Sequence, residues 1–132
     1  MIQKEDLQID DLILHLNHPY IIKELLSDQA KCKPYQSSDD IDDSEYIEYG
    51  ELYPIELTDE IVLDNGWKQH PYMISQPPII PYIQKDLPQL FKIKEDGEFY
   101  YTSVIPLFFV HDLQHLLKAC KSNKKIELKH PV

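Results

Sequence analysis

The sequence predicts an α+β fold: a small antiparallel β module, of a size that often curls into an SH3-like barrel, followed by a unit of two helices and a short antiparallel sheet. Three observations carry this expectation. Short extended apolar segments separated by turn residues fill the first third of the chain, capped helical patterns occur only beyond residue 57, and a strand–turn–strand pattern stands between the two helical segments. The boundary falls near residue 54, giving 1–54 and 55–132 as two small domains or as two parts of one core. The chain has 132 residues, of which 42% are hydrophobic, enough to fill such a core.

In chain order, Leu12–Leu16 and Tyr20–Leu26 flank the turn-like Asn17-His18-Pro19 and predict a hairpin. A third strand is expected over Ala30–Tyr35, after a break at Ser27 and Asp28. An acidic run, 37–51, interrupts before an extended pattern resumes from Ile47. A helix is expected over 58–66. Thr58 suits the N-cap, Asp59 and Glu60 suit the positive end of the helix dipole, Leu57 with Val62 matches a hydrophobic staple, and Gly66 is the natural stop. Five prolines crowd the stretch from Pro71 to Pro88, which predicts an irregular or edge-like segment in place of a central strand. Strand, turn and strand then follow, with Asp96-Gly97 as the turn, before a last helix near 108–121.

Charge narrows the function classes. The formal net charge is −10 and all thirteen cations are lysine. Without arginine the chain lacks the planar fork that grips guanine edges and phosphates, so sequence-specific reading of nucleic acid is disfavoured. The acidic run carries seven carboxylates (Asp39, Asp40, Asp42, Asp43, Glu45, Glu48 and Glu51) and no cation, which leaves −3 for the remainder. It reads as a solvated linker or as a surface for a protein partner with a basic face, Tyr46, Tyr49 and Tyr53 adding aromatic contacts. Five lysines between Lys118 and Lys129 give a third, nucleic-acid-binding alternative, opposed by the overall negative field. No apolar run reaches the length of a membrane span and the first residues are acidic, so a cytoplasmic protein is expected. Cys32 and Cys120 form no C-x-x-C pair and read as small buried hydrophobes.

The closest approach to a catalytic motif is His111-Asp-Leu-Gln-His115, one methylene short of the H-E-x-x-H zinc signature. Imidazoles four residues apart on a helix can share an ion, with His15, His18 or His70 as a further ligand and Asp112 as the base. Yet at about 100° per residue, Phe109, Val110, Leu113, Leu116, Leu117 and Cys120 gather in one sector and both histidines fall roughly 160° from its middle. The expectation is therefore a polar face presenting His111, Gln114, His115 and Lys118 to solvent, with no catalytic residues, no metal and no cofactor; a metal-dependent hydrolase using His111 and His115 is the alternative.

Pro54-Ile-Glu-Leu-Thr-Asp-Glu-Ile-Val-Leu-Asp-Asn-Gly-Trp-Lys68 resembles the Pro-Leu-Thr-Glu-Glu-Ile-Leu-x-x-x-Gly-Phe-x-Lys segment of a group of short uncharacterised proteins encoded by phages, prophages and mobile elements of gut bacteria. The segment from Gly97 to Cys120 is similar to their closing Val-His-x-Leu-Gln helix, which shares His111, Leu113 and Gln114 but has asparagine at His115. Their opening Arg-Ile-Gly-Asn falls on Gln8 to Asp11, with Gln8 and Asp10 in place of arginine and glycine. The resemblance spans about half the chain and implies a phage-type context in a bacterial host cell, without an activity to carry over; together with the acidic run and the lack of a catalytic constellation it leads to the expectation of an accessory or inhibitor protein that binds a protein partner.

Overall fold

The computed structural model describes residues 2–37, 41–70, 79–93, 97–101 and 105–130. Over these residues it is α+β, with two antiparallel sheets and two α-helices, and it divides into two compact units with the chain boundary between Ile55 and Glu56.

The first unit is a four-stranded sheet in the order β1 (Leu12–His15), β2 (His18–Leu25), β3 (Gln29–Pro34) and β4 (Glu45–Glu48). The hairpin turn lies at Leu16 and Asn17 (φ 51° and 65°), not at Asn17–Pro19; two consecutive left-handed residues match the twist of the flanking strands and leave His18 and Pro19 free to open β2. A register shift between Ile22 and Glu24 bends β2. After β4 a 3-10 turn, Tyr49–Glu51, leads the chain to the other edge of the sheet, where Leu14 and Tyr53 exchange backbone hydrogen bonds of 2.8 and 2.9 Å. Ile2, Leu7, Ile13, Ile22, Ala30, Cys32, Ile47 and Leu52 are buried together inside. β4 falls within the acidic run, so part of that run is sheet and not linker: Ile47 supplies the core contact while Glu45, Tyr46 and Glu48 stay exposed.

In the second unit α1 (Asp59–Asp64) is followed by a five-stranded meander, β5 (Lys68–Gln69), β6 (Ile79–Ile83), β7 (Leu90–Ile93), β8 (Phe99–Tyr101) and β9 (Ile105–Leu107), and then by α2 (Val110–Ala119). The Thr58 hydroxyl accepts from Ile61 N at 3.3 Å, Leu57 and Val62 are buried, and Gly66 takes φ +99° just beyond the helix. Asp59 also ties α1 to the sheet: its carboxylate accepts from the Tyr82 hydroxyl at 3.0 Å and from Lys92 Nζ at 2.6 Å. Trp67 is buried and donates its indole N–H to Pro88 O at 3.0 Å. The Gly97 end of the β7–β8 turn has φ +74°; Asp96 lies outside the described residues, as do 71–78.

One expectation about the proline-rich stretch is overturned, because β6 is an internal strand with Pro81 in it. The carbonyl of Pro81 accepts from His70 N at 2.8 Å, so its missing donor points to the same side, beyond the two residues over which β5 pairs. Proline therefore falls at the end of the described β5–β6 pairing, where only its carbonyl is engaged.

Candidate functional site

The acidic run, the α2 histidines and the C-terminal lysines are the three regions to which the sequence assigns a functional reading. In the first, Asp39 and Asp40 lie outside the described residues. Asp42, Glu45, Glu48 and Glu51 are exposed, whereas Asp43 is half-buried and accepts from the Ser37 hydroxyl at 2.5 Å. By the two-residue period Tyr46 and Glu48 share the outer face of β4, opposite Ile47, and Tyr46 is 58% exposed. Ile41, just upstream, is 55% exposed. Among the described residues β4 pairs only with β3, so its outer edge carries backbone donors and acceptors beside a row of carboxylates. Tyr49 does not belong to this surface. It packs against the core and its hydroxyl donates to Leu26 O at 2.5 Å, which makes it a strut between the 3-10 turn and the end of β2.

On α2 the expected orientation is corrected. His111 is buried, at 4% exposure, together with Val110, Leu113 and Leu117; Gln114 and His115 are half-buried, and only Lys118 of the four is fully exposed. Val110, Leu113 and Leu117 of the expected sector stay buried, but burial extends to His111 on one side and is lost at Cys120 on the other, so the inward face is turned by about 50°. Local packing accounts for the turn. Phe109 is bridged to Glu56, and its ring stacks on His111 with centroids 5.7 Å apart and planes 9° apart. Cys120, expected on the buried stripe, is the exposed C-cap residue. The His115 ring meets His111 edge-on at 5.5 Å.

Asp112 has a structural task. Its Oδ2 accepts from Phe109 N at 2.9 Å and from Phe108 N at 3.0 Å, so the carboxylate placed where a hydrolase keeps its base instead closes the helix N-terminus. Among the described residues, the group of three potential ligands close enough to share an ion does not include His111 or His115; it is Glu60, Asp64 and His130. That group escaped the sequence reading because its third member lies 66 residues from the second, with no spacing rule to connect them.

Of the C-terminal lysines, Lys118, Lys121, Lys125 and Lys129 are exposed and Lys124 is half-buried. They flank the buried Ile126 and Leu128, which hold the segment to the second unit. The chain matches no family model, no curated protein and no solved structure. Among the described residues no helix is long and apolar enough to cross a membrane.

Proposed function

We propose that this chain is a non-enzymatic, phage-type accessory or inhibitor protein of a bacterial host cell that binds a basic protein segment along the outer edge of β4. The observation that carries the reading is the exposed Tyr46 on an edge strand flanked by Glu45 and Glu48. An edge strand offers main-chain hydrogen bonds to an added strand, carboxylates select lysine- or arginine-bearing sequences, and an exposed tyrosine supplies rigid contact area. In this reading the first unit is an SH3-like barrel; the four-stranded sheet, the 3-10 turn and the return of Tyr53 to β1 support it. The phage relationship draws support from Asp10, which stands where the resembled group has glycine and takes φ 76°, a conformation glycine adopts freely.

The test is titration of the intact protein with a fluorescent extended peptide of alternating lysine and valine, with amide chemical shifts followed in parallel. Binding should weaken with salt, the shifts should fall on β4, and Glu45→Gln with Glu48→Gln should weaken binding by about fivefold, as two exposed ion pairs imply. Equal affinity in that double variant, or shifts confined to the second unit, overturns the reading.

A further inference from the structure

Glu60 and Asp64 lie four residues apart on α1 and so project from one side of the helix. The C-terminal segment returns to that side in a fixed register. Asn65, one residue beyond the helix, accepts from Glu127 N at 2.7 Å and donates to Glu127 O at 2.9 Å, and the buried Ile126 and Leu128 hold the chain on either side of this clamp. Two residues further on, His130 Nε2 stands 3.3 Å from Asp64 Oδ2 and 3.5 Å from Glu60 Oε1, and the three ligand atoms lie within 4.8 Å of one another.

These spacings are informative. Charge-assisted hydrogen bonds close to about 2.7–2.9 Å. Donors arranged tetrahedrally around an ion with bonds of about 2.0–2.1 Å are separated by about 3.3–3.4 Å, close to the 3.3 and 3.5 Å that separate His130 Nε2 from the two carboxylates. One imidazole and two carboxylates form a mixed nitrogen and oxygen set, which suits a first-row divalent ion. Calcium requires six to eight oxygens, and magnesium retains most of its water.

We propose that Glu60, Asp64 and His130 bind a divalent transition ion of the zinc class, with solvent completing the coordination sphere and the ion fastening the C-terminal segment to α1. The site is separate from the β4 edge and does not depend on it.

Calorimetric titration of the chelator-treated, tag-free protein with zinc chloride tests the proposal, with thermal unfolding as a second readout. One equivalent should bind and raise the melting midpoint. His130→Ala, and separately Glu60→Gln with Asp64→Asn, should weaken binding by about tenfold or more while retaining the native circular dichroism spectrum. His115→Ala should leave it unchanged. Failure to bind at submillimolar zinc, or stoichiometric binding that survives His130→Ala, overturns the proposal.

Discussion

The side-chain amide of Asn65 grips the backbone of Glu127 at both its N–H and its C=O, across 62 residues of sequence. The same side chain donates to Ile61 O at 2.8 Å, and its residue is 2% exposed. A single buried polar group thus closes α1 and registers the C-terminal segment. Asn65→Ala removes all three of these side-chain hydrogen bonds and should destabilise the protein by about 2–3 kcal/mol in denaturant unfolding. Hydrogen exchange should show the Glu127 amide losing protection first. Retained protection there would mean that Ile126 and Leu128 suffice to hold the segment.

The β1–β2 turn has an opposite consequence for stability. Leu16 adopts φ 51° while the residue is 76% exposed, so it bears the left-handed conformation with little compensating burial. Leu16→Gly should therefore stabilise the protein by about 1 kcal/mol, seen as a rise in the unfolding midpoint with an unchanged m-value. An unchanged or lowered midpoint would show that the leucine makes a contact worth as much as the strain it bears.

That turn also marks a limit of what the sequence discloses. The α1 caps, the hairpin strands and the Gly97 turn were legible because each rests on local chemistry: a hydroxyl at the N-cap, apolar runs around polar turn residues, a glycine where φ is positive. Leu16 was not, since nothing about leucine suggests a left-handed residue. Pro81 in an internal strand was not, because the side on which its donor is missing depends on where β5 ends. The burial of His111 was illegible for a related reason: a periodicity argument counts an imidazole as polar, whereas here Phe109 covers one face of the ring. Within the acidic run an extended pattern was expected only from Ile47, and charge density concealed that the strand begins at Glu45 with Ile47 as its one buried residue.

The cap formed by Asp112 separates a structural from a catalytic reading of the His-Asp-Leu-Gln-His segment. Asp112→Ala frees the N–H groups of Phe108 and Phe109 and should cost about 1 kcal/mol of stability, whereas Asp112→Asn keeps an acceptor and should cost less. Chemical denaturation of the two variants measures the difference. Equal stability of Asp112→Ala and the parent would remove the capping role.

The two thiols should behave in opposite ways. Burial, and then the charge of Glu45, push the Cys32 thiol up to about 11, while Cys120 is exposed at the end of α2. At neutral pH an aromatic disulfide reagent should titrate one thiol rapidly and the second only after unfolding. Cys120→Ser should abolish the fast phase.

Tyr82 extends the argument to alkaline stability. Burial, followed by its hydrogen bond to Asp59 and the charge on that carboxylate, pushes its hydroxyl from 10.0 up to about 12. A folded-state value above the unfolded one favours the protonated form in the native protein. The stabilisation is therefore complete below the unfolded value and is lost as pH rises through the folded one. For Tyr82 the loss should run from about pH 10 to 12, at about 1.4 kcal/mol for each unit separating the two values. Tyr82→Phe keeps the ring that meets Phe99 edge-on at 5.2 Å but lacks the ionising group, so its unfolding free energy should fall less steeply across this window. Parallel curves for Tyr82→Phe and the parent would assign the alkaline loss to other groups, beginning with Cys32, whose raised value acts with the same sign from about pH 9 to 11.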